Sequence, residues 1–123
     1  MRLRYFDVGE FDSPDQRGSG VLMSMQFLRM LDDAREHAKT PFRITSGYRT
    51  VQRNAEVGGV PNSSHLLGLA CDIAVSNSET RAKIVNGLIH AGFTRIGVST
   101  TFVHCDIDKD KPTPRMWLYN TSK

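Results

Sequence analysis

Cysteine is scarce in this chain. Cys71 and Cys105 are the only two, and they form no C-x-x-C pair. Two cysteines cannot define a disulfide framework. Long apolar runs are missing as well: none approaches the ~20 residues that a membrane-spanning helix needs. Met1–Glu10 mixes charge with aromatics and lacks an apolar core, so no secretory signal is read there. The expectation is a chain made in the cytoplasm, which something else must deliver if it acts outside. Charge of one sign is not abundant either. Sixteen basic residues face 13 acidic ones, a net charge of +3. The basic residues are scattered, with small clusters at Met1–Arg4 and Lys109–Arg115. Nucleic-acid binding usually needs a denser stripe, so no nucleic-acid partner and no membrane are expected. A mild positive charge suits an anionic polymer such as a cell wall. Internal repeats and low-complexity stretches are lacking. With 39% hydrophobic and 24% charged residues, the composition is that of a globular protein rather than a disordered one. The length suits one domain, residues 1–123, able to bury a modest core. A monomer is expected.

The pattern alternates helices and strands. Asp12–Gly20 is rich in turn formers and reads as an ordered loop. Ser24 is placed to cap a helix reaching about Lys39, with Phe27, Leu28, Leu31, Ala34 and Ala38 at helical spacing. Phe42–Thr45 reads as a short strand. Thr50 caps a short helix that ends near Gly58-Gly59. Leu69–Val75 alternates, with Leu69, Cys71, Ile73 and Val75 on one face and Ala70, Asp72 and Ala74 on the other. Ser78 caps a helix through His90, with Ala82, Val85, Leu88 and Ile89 inward. Phe93–Val98 reads as a strand. Phe102–Asp108 alternates again: Val103, Cys105 and Ile107 oppose Phe102, His104, Asp106 and Asp108. The basic tail Lys109–Lys123 contains Met116–Tyr119 as an edge strand. The fold class is α+β, a small central antiparallel sheet flanked by helices.

Both well-patterned strands carry ligand-capable side chains on one face. If they pair, Asp72 and His104 point the same way. His65 precedes the first of them, and Gly68 permits a tight bend between. A zinc ion takes three protein ligands from His, Asp, Glu or Cys and leaves a fourth position open in a catalytic site. His65, Asp72 and His104 supply such a set. His37 and His90 lie near helix C-termini, where a cation suits the dipole, and both read as structural. Cys105 neighbours His104 in sequence, but adjacent strand residues face opposite sides. A Cys–His nucleophile pair is therefore disfavoured, and both cysteines read as small buried thiols.

The string Ser63-Ser64-His65-x-x-Gly68-x-Ala70-x-Asp72-Ile73, followed by Phe102-Val103-His104-x-Asp106, resembles the zinc D-Ala-D-Ala carboxypeptidase family, which shares its fold with the hedgehog signalling domain. Ser46-Gly47-Tyr48-Arg49-Thr50, Asn54 and Val57-Gly58-Gly59 extend the likeness. Phe11–Asp15 and Gly18–Gly20 fit its small, phage-type branch. The resemblance implies one Zn2+ held by His65, Asp72 and His104. It implies that Arg49 contacts the substrate or the developing oxyanion, as a guanidinium fork suits; its other reading is a salt bridge in the turn after Tyr48. Ser63 and Ser64 would lie near the ligands or the substrate. The implied reaction is metal-assisted hydrolysis of a peptidoglycan stem peptide or cross-link, in the manner of a carboxypeptidase or endopeptidase, and the implied setting is a phage lysin or virion component.

One departure stands out. Larger relatives place Asp or Glu three residues before the last zinc histidine, where this chain has Thr101. Asp106 is the candidate base or, by preference, an acceptor that orients a metal ligand. Glu56 is another candidate base. The alternative function is a non-catalytic, zinc-stabilised module that binds wall peptides or a protein.

Overall fold

The computed structural model describes residues 2–119. Met1 of the first basic cluster and the end of the basic tail lie outside the described residues. Three α-helices, α1 (Met25–Ala38), α2 (Val51–Glu56) and α3 (Ser78–His90), accompany five strands: β1 (Ile44–Ser46), β2 (Ala70–Ala74), β3 (Arg95–Val98), β4 (Phe102–Asp106) and β5 (Arg115–Leu118). Short 3-10 turns cover Val8–Phe11, Ser19–Leu22 and Ser64–Leu67. The strands form one sheet in the order β1-β2-β4-β3-β5. The fold is α+β, as the pattern predicts.

The sheet is antiparallel except at one edge, where β5 runs parallel to β3. The cause is topological. β4 is already flanked by β2 and β3, so the chain leaving it must reach the free edge of β3. It reverses on the way, and because β4 opposes β3, a strand that opposes β4 parallels β3.

Local signals explain most helix ends. Ser24 Oγ accepts from Phe27 N and caps α1, and Thr50 Oγ1 accepts from Arg53 N and caps α2. The predicted cap of α3 is one residue off: Asn77, not Ser78, accepts from Thr80 N at 2.8 Å. The inward face of α3 also differs. Leu88 is buried and Val85 packs against the core as expected, but Ala82 and Ile89 are exposed, and Ile84 and Gly87 are buried in their place. Gly87 explains the rotation. A Cβ there would collide with the Ala34 carbonyl oxygen and lie 3.0 Å from Ala38 Cβ. α1 and α3 therefore close on the glycine, which turns Ile84 and Leu88 into the core. All five predicted inward positions of α1 are buried.

The core lies between these helices and one face of the sheet. Phe27, Leu28, Leu31, Ile84, Leu88 and Phe93 meet Cys71, Ile73, Ile96, Val103 and Cys105 in one cluster. Phe27 and Phe93 pack edge to face at 5.6 Å between centroids. The opposite face of β2 and β4 is left for polar side chains, and the site is built there. Among the described residues, no helix is long and apolar enough to cross a membrane.

Candidate metal centre

Register brings the first two candidate ligands together. Asp72 on β2 stands opposite His104 on β4, and Cys71 stands opposite Cys105. Directly opposed residues share a face, and their sequence neighbours take the other. The two thiols therefore meet in the core, with Sγ atoms 3.9 Å apart, while the carboxylate and imidazole meet on the polar side. Burial among apolar neighbours pushes the Cys71 thiol well up, away from thiolate. Neither sulfur faces the site.

His65 arrives on the 3-10 turn Ser64–Leu67. Ser63 Oγ accepts from His65 N at its start, and Gly68, at φ +71°, ends it in the left-handed region. A glycine takes that conformation with little strain, and the chain turns there into β2.

Hydrogen bonds to the outer nitrogens fix which ring nitrogen of each histidine faces inward. His65 Nδ1 lies 2.8 Å from the Gly47 carbonyl oxygen. A carbonyl can only accept, so Nδ1 carries a hydrogen, and Nε2 is the nitrogen that faces Asp72. His104 is the mirror case. Its Nε2 donates to Asp106 Oδ2 at 2.8 Å, and Nδ1 points inward. The inward atoms, His65 Nε2 and His104 Nδ1, lie 3.4 and 2.9 Å from Asp72 Oδ1. One ligand atom from each of the three residues falls within 4.8 Å of the others, the sole such group among the described residues.

This donor set fits a zinc ion. Bonds of ~2.0–2.2 Å in a tetrahedron put ligand atoms roughly 3.3–3.6 Å apart; His65 Nε2 stands at such a spacing from Asp72 Oδ1, 3.4 Å, while His104 Nδ1 is at hydrogen-bond distance, 2.9 Å. Both imidazoles have their outer N–H engaged, as metal-ligating histidines do. The charge balance agrees. Burial works against the Asp72 carboxylate, yet hydrogen bonds from His104 and His65 hold it well below the usual carboxylate range. Burial also works against a charged His104, yet hydrogen bonds to Asp106 and Asp72 raise it above the usual imidazole value. Without a metal, the protonated form of His104 is thus favoured between Asp72 and Asp106.

Asp106 is 2% exposed, and both of its oxygens are used. Oδ2 accepts from His104, and Oδ1 accepts from Arg95 Nε at 2.7 Å and from Asp108 N at 3.1 Å. This geometry favours orientation of His104 over general-base duty. Arg49 reaches the site from the segment before α2. Its Nε donates to Ser46 Oγ at 3.0 Å and its Nη1 to Asn54 Oδ1 at 3.1 Å, which leaves Nη2 3.5 Å from Asp72 Oδ2. The predicted loop Asp12–Gly20 supports that segment: Ser13 Oγ accepts from Thr50 N, and Asp15 accepts from the Thr50 hydroxyl.

A cleft of about 350 Å³ opens over these groups. Phe102, Trp117 and Tyr119 line one side, and Gly58, Gly59, Val60, Ser63 and Ser64 another. Trp117 and Tyr119 lie over Gly97, where a Cβ would come within 2.6 Å of both rings. A second cavity of about 210 Å³ shares Arg49 and Asp72 with the first.

The predicted site residues are therefore neighbours, with differences of role. Ser63 caps the turn under His65. Ser64 is 3% exposed; its hydroxyl donates to Asp108 and accepts from Lys111 Nζ. That hydroxyl fastens the loop before it can touch a substrate. Glu56 pairs with Arg53 at 3.7 Å and does not line the cleft. His37 and His90 stack at 3.8 Å at the ends of α1 and α3, away from the ligand group. Sequence reasoning missed Arg95 and Lys111 and gave Asn54 no role of its own. The alternation of Phe102–Asp108 did place Asp106 beside His104, but only the β3–β4 register shows what holds Asp106.

On the polar side of this α+β sheet, His65, Asp72 and His104 form a group that could hold one metal ion. A family model described as peptidase M15 matches residues 4–106, and the chain belongs to that family. Its members are zinc-dependent peptidases, and the match takes in every residue of the triangle and Arg49. No curated protein matches the chain.

Proposed function

We propose that this chain is a zinc peptidase that hydrolyses a peptide bond in the stem peptide or cross-link of bacterial peptidoglycan, as a carboxypeptidase or an endopeptidase. The observation that carries this reading is the convergence of His65 Nε2 and His104 Nδ1 on one oxygen of Asp72, at 3.4 and 2.9 Å. His65 Nε2, Asp72 and His104 Nδ1 would hold the ion. When bound, zinc supplies Lewis acidity and makes water a nucleophile near neutral pH. Arg49, fixed by Ser46 and Asn54, presents Nη2 beside the ligands, 3.5 Å from Asp72 Oδ2, and is placed to stabilise charge on a carbonyl oxygen or to grip a substrate carboxylate. Arg95 and Lys111 also line the cleft, each paired with an aspartate, Asp106 and Asp108. Phe102, Trp117 and Tyr119 give its apolar wall. A phage lysin or virion-borne wall hydrolase, acting as a monomer, is the setting this chemistry fits.

A specific observation supports a second reading. Among the described residues lining the cleft, the only carboxylates are Asp72 and Asp106, and both are engaged. Thr101 occupies an exposed turn and offers no carboxylate. A zinc-stabilised module that binds wall peptide without cutting it would need no base. Digestion of several purified peptidoglycans, followed by mass spectrometry of the muropeptides, separates the two. The enzyme releases new amino termini and stops on chelation. The module binds one zinc and leaves every wall type intact.

A further inference from the structure

We infer that Arg95 is a positioning residue of the metal centre, acting on His104 through Asp106. The inference rests on the reading of His65, Asp72 and His104 as zinc ligands.

Arg95 on β3 stands directly opposite Asp106 on β4, so the two side chains share the polar face of the sheet. Three contacts hold the guanidinium. Nε donates to Asp106 Oδ1 at 2.7 Å, Nη1 donates to the Pro112 carbonyl oxygen at 2.7 Å, and the carbon of the fork lies 4.9 Å from the centre of the Trp117 ring. The side chains of Arg95 and Asp106 are 11% and 1% exposed. A pair this buried is neither screened nor free to wander as surface ion pairs are.

The consequence runs through the carboxylate. Arg95 Nε and Asp108 N both occupy Oδ1, which commits Oδ2 to His104 Nε2. That bond keeps the hydrogen on Nε2 and the ring in plane, so that Nδ1 faces Asp72. With Arg95 gone, the carboxylate loses its counter-charge and its main rotational anchor. His104 then loses the fixed acceptor that orients it. Outer partners of this kind typically govern ~10- to 100-fold of metal affinity. A lysine cannot replace the fork, because one ammonium cannot hold Asp106 and Pro112 in the same planar geometry. The arrangement also ties the segment before β5 to the ligands through Pro112.

The test is zinc binding by zinc-free protein in competition with a chromophoric chelator, for wild type, Arg95→Met and Arg95→Lys, with circular dichroism of each zinc-free protein. Cobalt substitution adds a visible spectrum that reports ligand geometry. Wild type binds one zinc. Arg95→Met keeps its fold, binds zinc ~10- to 100-fold more weakly and shows an altered cobalt spectrum; Arg95→Lys falls between. A folded Arg95→Met with wild-type affinity and an unchanged cobalt spectrum overturns the inference and leaves the zinc reading intact. If Arg95→Met does not fold, Arg95→Lys decides: several-fold weaker zinc supports the role, and wild-type affinity overturns it. Wild type that binds no zinc removes the underlying reading itself.

Discussion

Replacing Asp106 by asparagine separates the two roles open to that residue. The change preserves size and removes one negative charge from a group whose side chain is 1% exposed beside Arg95, itself 11% exposed. An amide cannot satisfy both neighbours. If its oxygen turns to Arg95, its NH2 meets His104 Nε2, which must then accept; the ring hydrogen moves to Nδ1, the atom meant for the metal. If its oxygen turns to His104, the NH2 confronts the Arg95 N–H. Removing one partner of a buried ion pair costs ~3–5 kcal/mol. The retained volume and single acceptor argue for the lower end, about 3 kcal/mol. At ~2.1 cal/mol/K per residue this corresponds to roughly 12 °C in Tm for a chain of 123 residues. Zinc affinity should fall ~10- to 100-fold in parallel. Calorimetry of the zinc-free protein and chelator competition measure the two quantities. Asp106→Asn with full zinc affinity and an unchanged Tm, but no turnover, would refute the orienting role and restore Asp106 as the base.

Further expectations follow from the same geometry. Arg49→Ala should retain zinc and lose ~10²–10³ in kcat, the usual effect of removing one donor to a developing oxyanion; steady-state kinetics on a cleaved muropeptide check this, and unchanged kcat removes the role. In zinc-free protein, His104 lies above its unfolded value of ~6.5, so its stabilisation is complete below that pH and is lost as pH rises through the raised value. Asp72 and Asp106 are depressed below ~3.9, so theirs is present above it and lost as pH falls through the lowered values. Zinc-free Tm should therefore decline from pH 6 toward 8, while the zinc-induced rise in Tm grows because metal competes with the Nδ1 proton; a Tm that climbs over that range contradicts the linkage. Gly87→Ala should destabilise by ~1–3 kcal/mol, since overpacking between α1 and α3 outweighs the ~1 kcal/mol of helix propensity gained. Chemical denaturation measures it, and a more stable variant would show that the helices part freely.

Much of the site was legible because strand alternation has a strict period of two. The patterns around Asp72 and His104 placed both on one face and both cysteines on the other. Only the pairing of the two strands was needed, and β2–β4 supplies it. What stayed hidden depends on contacts distant in sequence. Arg95 acquires its role from its register with Asp106, and Ser64 is committed by Asp108 and Lys111, more than forty residues on. The inward face of α3 was read correctly at Val85 and Leu88 but missed at Ala82 and Ile89, because one glycine, absent from an apolar count, sets how closely α1 approaches. The parallel edge strand follows from sheet order, which no local pattern encodes.

A crystal structure of zinc-loaded protein with anomalous data at the zinc edge locates the ion. One peak per chain is expected, bonded to His65 Nε2, the Asp72 carboxylate and His104 Nδ1, with Asp106 still on His104 Nε2. A peak elsewhere, bonding through His104 Nε2, or no peak between these three side chains would contradict the zinc reading.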